Sequence, residues 1–330
     1  MMTVRATAQD ARDPLSGVTV ADVADPGPPE AGWVPVDVRA AALNHHDLWS
    51  LRGVGLPADR LPMVLGTDAA GTDPDGRAVL VHAVLSTPGW EGDETLDPAR
   101  TLLSERYPGT LAERVWVPAR NLVPKHPDLT WAEAACLPTA YLTAYRLLFT
   151  AAALRPGRTV LVQGAGGGVA TAAIVLGRAA GLRVWVTSRD EAKRARALEI
   201  GAHAAFATGE RLPEQVDAVV ETVGEATWGH SLRALRPGGT VAVAGATSGA
   251  MPPADLNRIF FRSLRVVGAT MGTRDELVAV QEMLVATGAR PVVDDVLPLS
   301  AAPQALARLA GGDVVGKLVL TVGAPARREP

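Results

Sequence analysis

The sequence predicts an α/β protein: a β-rich, barrel-like unit followed by a doubly wound parallel sheet with helices on its faces. Three observations predict it. Val34, Val36 and Val38 alternate with Pro35, Asp37 and Arg39, the period of a strand with one buried face. Glycine and proline then punctuate the chain at Gly53, Gly55, Pro57, Pro62, Gly66, Gly71, Pro74 and Gly76, as a succession of short strands and turns requires. From about residue 130 strands alternate with helices, and those strands are almost continuously apolar, as when both faces of a sheet are covered.

The elements follow in order. The segment Ser86 to Gly109 is rich in Pro, Gly and charge and reads as a surface excursion with one short helix. Thr130 and Glu133 have the spacing of a capping box, which opens a helix reaching Leu147 and Leu148, with an interruption at Pro138. Strands are expected at 159–163, 183–187, 218–221 and 240–244, and helices at 170–180, 191–200 and 228–235. Past Gly272 a helix over 275–286 precedes strands at 292–297 and 317–322 that rejoin the first domain. The expected division is therefore 1–128 with 275–330 for the β-rich domain, and 129–274 for the parallel-sheet domain.

With 330 residues, of which 48% are hydrophobic, the chain has material for two cores. A net charge of -3 and three isolated lysines, Lys125, Lys193 and Lys317, provide no electrostatic footprint for nucleic acid or an anionic membrane. The expected partner is a small-molecule substrate. A single cysteine, Cys136, excludes an internal disulfide and a cysteine-rich zinc site, and its apolar neighbours make it a buried thiol. The first residues carry no apolar run of signal-peptide kind, and the expectation is a cytoplasmic protein.

After the strand Val160-Leu161-Val162 comes Gly164-Ala165-Gly166-Gly167-Gly168-Val169-Ala170. A strand that turns sharply into a helix, with backbone open to close approach, lets N–H groups and the helix N-terminus hold a pyrophosphate. Set between a good strand and a good helix, Gly164, Gly166, Gly167, Gly168 and Val169 form a dinucleotide-binding turn rather than an ordinary one. The next strand ends in Thr187-Ser188-Arg189. Ser188 stands where NAD sites place an acid for the ribose 2′-hydroxyl, with Arg189 beside it and Lys193 a turn further on. This combination favours the 2′-phosphate of NADPH, against the alternative of a surface arginine that happens to follow a strand.

Together these blocks resemble the medium-chain dehydrogenase/reductase superfamily, and within it the quinone-oxidoreductase-like members. The resemblance covers residues 32–322. It rests on VRAAALNHHDLW, LPMVLGTDAAG, GTLAERVWVPARNLVP, TAYLTAYRLL, RPGRTVLVQGAGGGVATAAIVLGRAAG, LRPGGTVAVAGATSG, VVGATMGTRDEL and the closing GKLVL, in family order and spacing. It implies a GroES-like catalytic domain, a Rossmann domain inserted before its last strands, and an active site in the cleft between them. The chain also departs from the pattern. Where zinc members carry a cysteine, a His-Glu pair and a second cysteine, this sequence has Asn44, Thr67-Asp68 and Thr139. The excursion lacks the four cysteines of a structural zinc lobe. No metal is therefore expected. The tyrosine that enoyl reductases of this group use as a proton donor is also missing from 52–57.

In this reading Asn44 donates an amide N–H to a carbonyl or quinone oxygen, and His46 is the candidate proton donor. Asp47 either orients these groups or caps backbone N–H groups. The resemblance places His45 toward the cofactor phosphates or ribose, Thr143 at the nicotinamide end, and Thr222 along the cofactor path. It sets Gly245, Ala246, Thr270 and Met271 within backbone reach of the nicotinamide amide. Lys317 resembles a family lysine that serves the cofactor, the alternative being a surface lysine before an edge strand. Trp49, Trp90, Tyr141 and Phe260 either line the substrate cleft or pack in cores. Three functions stay open: an NADPH-dependent quinone or enone reductase, a pathway-specific reductase of a bulkier metabolite, and an NADPH-binding sensor or structural protein without chemistry. The strand at 264–269 resembles the edge through which family members form homodimers.

Overall fold

The valine alternation at 34–38 lies within a ten-residue strand, Trp33–Ala42, whose Val36 and Val38 are buried while Asp37 and Arg39 face solvent. The computed structural model describes residues 1–323. Its first elements are β1 (Met2–Ala6), β2 (Val18–Asp22), β3 (Trp33–Ala42) and a short helix, α1 (His45–Leu51). Then come β4 (Met63–Val64), β5 (Asp68–Thr72), β6 (Ala78–Val81), β7 (Val84–Leu85), β8 (Thr101–Leu102), β9 (Arg114–Pro118) and β10 (Leu122–Pro124). Helices α2 (Trp131–Ala135) and α3 (Leu142–Tyr145) are separated by a π-helical stretch, Leu137–Tyr141, and a second one, Arg146–Ala151, follows.

Further on are β11 (Thr159–Gln163), α4 (Gly168–Ala179), β12 (Arg183–Thr187), α5 (Glu191–Ile200), β13 (Ala204–Phe206), β14 (Val216–Glu221), α6 (Glu225–Ala234) and β15 (Leu235–Val243). The described chain ends with α7 (Leu256–Phe261), β16 (Arg265–Gly268), α8 (Arg274–Thr287), β17 (Val293–Pro298), α9 (Ala302–Gly311) and β18 (Lys317–Thr321). The expected capping box is present: Thr130 N–H donates to Glu133 Oε2 at 2.8 Å, and Glu133 N–H returns to Thr130 Oγ1 at 3.2 Å. Pro138, which has no N–H to give, falls in the first π stretch, so the predicted interruption is a widened turn rather than a break. The segment after Asn44, for which the sequence gives no helical period, is the helix α1.

The chain divides into two compact units. One comprises residues 1–139, 273–281 and 293 onward; the other comprises 140–272 and 282–292. The first boundary lies beyond residue 128 because α2 packs on β3 and β5. Residues 324–330 of the expected span lie outside the described residues.

In the first unit the main sheet runs β10-β6-β5-β3-β18-β17, with β9 also pairing with β3. Strand β3 pairs antiparallel with β5, with β9 along Trp33–Asp37 and with β18 along Ala40–Ala42, and its pairing with β5 shifts register between Val38 and Ala40. The second unit carries the parallel sheet β13-β12-β11-β14-β15-β16. Leu161, Trp185, Val219, Leu232 and Val241 form part of its core on one face. Gly177 of α4 allows close packing on the sheet, since a Cβ there would come within 2.7 Å of Val184 Cγ2.

Candidate functional site

Asn44 ends the extended chain leaving β3 and starts α1 as its N-cap. Its backbone N–H donates to Asp47 Oδ2 at 2.8 Å, and the Asp47 N–H donates to the Asn44 carbonyl at 3.1 Å. Of the two roles open to Asp47, capping is the one the geometry makes. Burial raises the Asp47 pKa, against the pull of His46, the Asn44 N–H and Lys317. Its second oxygen, Oδ1, is buried without a partner among the described residues.

Lys317 is not a surface lysine before an edge strand. Strand β18 lies between β17 and β3, and the Lys317 side chain is only 2% exposed. Its ammonium donates to the Leu43 carbonyl at 2.6 Å, to Asn44 Oδ1, and to Asp68 Oδ2 at 3.0 Å. Three acceptors use all three of its N–H bonds inside this unit. Because an ammonium can only donate, the Asn44 amide oxygen must face it, and the amide NH2 must point the other way. That NH2 reaches the Ala42 carbonyl at 3.4 Å and Thr67 Oγ1 at 3.3 Å. Thr67 is fully buried, and its hydroxyl lies 3.0 Å from that of Thr139, which sits half-buried on the π turn. Thus the three positions that depart from the zinc pattern converge through hydrogen bonds on one another. Cys136, one turn before them, has its thiol pushed up to about 12 by burial and is inert as a nucleophile.

The two histidines diverge. His45 is exposed at the start of α1, yet desolvation by the surrounding protein, then Lys317 and Arg52, keep its imidazole below the ordinary histidine range. His46 is partly buried. Its Nε2 lies 3.2 Å from Glu105 Oε1, and its Nδ1 lies 3.5 Å from Ser104 Oγ. Burial works to raise the Glu105 pKa, but hydrogen bonds from His46, the Leu102 N–H and Thr101 hold it below the usual carboxylate range. Glu105 is a residue that sequence reasoning missed. It belongs to the Ser86–Gly109 excursion, 59 positions from its partner.

In the second unit the glycine turn joins β11 to α4. Gly164 takes φ +92°, which favours glycine, and Gly167 caps the helix with no side chain of its own. A Cβ at Gly167 would meet nothing within 4 Å, so the backbone there is open to close approach. The first turn of α4 holds no acidic residue, leaving its N–H groups available to an anion. Val169 is half-buried at that turn.

Ser188, at the end of β12, has its carbonyl held by Arg194 at 2.7 Å, and Arg189 beside it is exposed. Arg194 is a second residue missed in the sequence. Asp190 is the nearest carboxylate along the chain; it is turned onto the Lys193 N–H at 3.1 Å as the cap of α5.

The loops after β14 and β15 are laced together. Thr222 and Val223 carbonyls accept from the N–H groups of Thr247 at 3.4 Å and Ser248 at 2.7 Å. Glu221, fully buried, accepts from the Val223 and Gly224 N–H groups and from the Thr227 and Ser231 hydroxyls. Gly245 packs so tightly that a Cβ would come within 2.9 Å of the Thr222 carbonyl. Ala246 follows it half-buried, Thr270 is exposed, and Met271 is buried with φ +51°. Thr143 is buried on α3. Tyr141 is fully buried and accepts from the Val292 N–H at 2.8 Å, so it is a core residue. Trp90 and Phe260 are 38% and 59% exposed, and Trp49 lies under the Arg52 guanidinium.

Comparison with known proteins agrees with this architecture. Residues 30–128 match the family profile of the alcohol dehydrogenase GroES-like domain, and residues 168–286 match that of the zinc-binding dehydrogenases. A solved NAD-dependent alcohol dehydrogenase is 34% identical, with a TM-score of 0.89 over 98% of this chain and 100% of that one. The acryloyl-coenzyme A reductase of Metallosphaera sedula is 29% identical over 92% of this chain and 96% of its own length. The spectinabilin polyketide synthase system protein NorB of Streptomyces orinoci is 33% identical over 94% of this chain, which spans only 14% of that protein. Zinc does not fit the donor set of this chain. Asn44, Thr67 and Thr139 offer an amide and two hydroxyls with an ammonium already on the amide oxygen, and among the described residues no three His, Cys, Asp or Glu gather to hold a metal. A nicotinamide dinucleotide does fit, at the open glycine turn and the end of β12. With both of its domains matched in order, the chain is an oxidoreductase that belongs to the medium-chain dehydrogenase/reductase superfamily.

Proposed function

We propose that this protein is an NADPH-dependent reductase of quinones or α,β-unsaturated carbonyl compounds that works without zinc. The observation that carries the reading is the chain of neutral hydrogen-bonding groups, Asn44, Thr67 and Thr139, anchored through Asn44 to a buried ammonium where a metal-using member would place its ligands. Such a set stabilises negative charge developing on a substrate oxygen through the hydroxyl at its open end instead of a Lewis acid. When bound, the dinucleotide supplies the hydride. Gly164, Gly166, Gly167, Gly168 and Val169 would hold its pyrophosphate, and Ser188, Arg189 and Lys193 its 2′-phosphate. His46, held by Glu105, is the proton donor in this reading. The similarity to an acryloyl-coenzyme A reductase supports an activated alkene as substrate.

The similarity to a segment of a polyketide synthase system favours a second reading, a reductase dedicated to a bulkier acyl chain. In both readings the working form is a cytoplasmic homodimer. The test is NADPH oxidation followed at its absorbance maximum with acrylyl-coenzyme A, a longer enoyl thioester and 1,4-benzoquinone. Turnover of the short thioester or the quinone supports the first reading, and turnover of the long thioester alone supports the second. Cofactor binding without turnover of any of them would leave a silent NADPH-binding protein.

A further inference from the structure

We infer that the Thr139 hydroxyl is the terminal donor of a one-way hydrogen-bond chain, Lys317 to Asn44 to Thr67 to Thr139, and that it binds the substrate's carbonyl oxygen. The inference rests on the reductase reading and assigns the residue that performs its charge stabilisation. The direction of the chain follows from donor and acceptor capacities alone. Lys317 has only N–H groups, so Asn44 Oδ1 accepts from it. The Asn44 NH2 has only N–H groups, so Thr67 Oγ1 accepts from it. Thr67 is 0% exposed and its hydroxyl has two partners, Asn44 and Thr139. Asn44 offers Thr67 no acceptor, so the Thr67 proton goes to Thr139 Oγ1. The reverse arrangement would strand a buried hydroxyl proton without an acceptor.

With its oxygen already accepting, Thr139 turns its own O–H outward. Its partner among the described residues is Thr67, and no carbonyl of its own helix takes that proton. Two further features suit the role. Thr139 lies on the π turn Leu137–Tyr141, which re-aims side chains relative to a regular helix, and it is the half-exposed end of a chain whose other members are buried. Hydrogen bonds that run in one sense reinforce one another, making the last hydroxyl a stronger donor than an isolated threonine.

In the reaction, hydride adds to the β-carbon of the enone, the C=C pair shifts toward the carbonyl, and the nicotinamide donor is oxidised. The enolate oxygen carries the resulting negative charge and takes the Thr139 hydrogen bond. His46 then gives a proton to the α-carbon, which completes the saturated product, and is reprotonated from solvent. Asn44 and Thr67 act through Thr139 and are positioning residues.

The experiment compares Thr139→Val, which keeps the shape and removes the hydroxyl, with Thr139→Ser, which restores it. Acrylyl-coenzyme A and 1,4-benzoquinone are the probes, and NADPH binding is measured by calorimetry. For Thr139→Val we expect kcat to fall on the order of 10²-fold with KM and NADPH affinity nearly unchanged, and for Thr139→Ser to return to within about threefold of the parent. A Thr139→Val enzyme within about threefold of the parent in kcat overturns the inference. Neutron diffraction from deuterated crystals reads the chain without any substrate. Deuterium on Thr67 Oγ1 directed at Thr139 supports the inference; deuterium on Thr139 directed back at Thr67 overturns it. If the parent enzyme reduces neither these probes nor a longer enoyl thioester, the reductase reading falls, and the neutron map alone decides the direction of the chain.

Discussion

The Lys317 ammonium and the Asn44 amide oxygen meet in the interior of the first unit, although 273 positions separate them along the chain. Strand β18 makes the meeting possible. It returns beside β3, pairing Val319 with Ala42, and so delivers Lys317 to the point where β3 turns into α1. The lysine thereby fixes which way the amide faces, balances Asp68, and holds the Leu43 carbonyl at the strand end. One charged side chain sets the geometry of the whole donor cluster.

Replacing Lys317 with methionine should therefore destabilise the protein by about 3–5 kcal/mol, because Asp68 is left buried without its counter-ion. The double variant Lys317→Met with Asp68→Leu should recover most of that loss, since two apolar residues carry no unpaired charge. Urea unfolding of the two variants checks both claims. A single variant that loses less than about 1 kcal/mol would show that the pair contributes little.

Asp47 makes a pH-dependent contribution of defined sign. Burial raises its folded pKa above the ordinary 3.8. Its contribution to stability is fully present below that value and is lost as pH rises through the raised folded pKa. Asp47→Asn keeps an acceptor for the Asn44 N–H and cannot ionise, so it should gain on the parent between pH 4 and neutrality. Stability curves measured across that range test it. A parent-to-variant difference that does not change with pH would mean that Asp47 is not desolvated in solution.

Much of the fold was legible because apolar runs and glycine turns act locally. The strand bounds at 159–163 and 183–187 and the helix at 191–200 agree with the structure, and the capping box at Thr130 opens the helix it predicts. Helix α1 was not legible: seven residues are too few to show a helical period. The site was legible as a list of residue types and illegible as an arrangement. Asn44, Thr67, Thr139 and Lys317 stood out by departing from a family pattern or by matching one, but hydrogen bonds across tens to hundreds of positions leave no local trace. Glu105 shows the same limit, since nothing in the sequence of the excursion announces that it reaches His46.

The edge of the second sheet leads to a prediction about assembly. Among the described residues strand β16 pairs with β15 alone, and Arg265, Val266 and Gly268 are exposed, Val266 to 46%. An open edge with apolar surface is a template for pairing with another strand, and a second copy of the same edge satisfies it. Light scattering at micromolar concentration should give the mass of a dimer, and Val266→Asp should shift it toward monomer. A monomeric parent would remove the proposed interface.

In the function proposed here, charge at the end of β12 decides between the two nicotinamide cofactors. NADH presents a ribose hydroxyl there and NADPH a phosphate, and Arg189 stands exposed beside Ser188 while Asp190 is occupied in capping α5. A charge-assisted hydrogen bond to the phosphate is worth about 1.5–3 kcal/mol. Arg189→Ala should therefore weaken NADPH binding by roughly 10- to 100-fold and leave NADH nearly unchanged, as read by parallel calorimetric titrations. Arg194 is already engaged with the Ser188 carbonyl, so its replacement should loosen this turn and weaken both cofactors together. The contrast between the two variants separates recognition of the 2′-phosphate from support of the backbone that presents it. Equal losses of both cofactors in Arg189→Ala would remove the phosphate role.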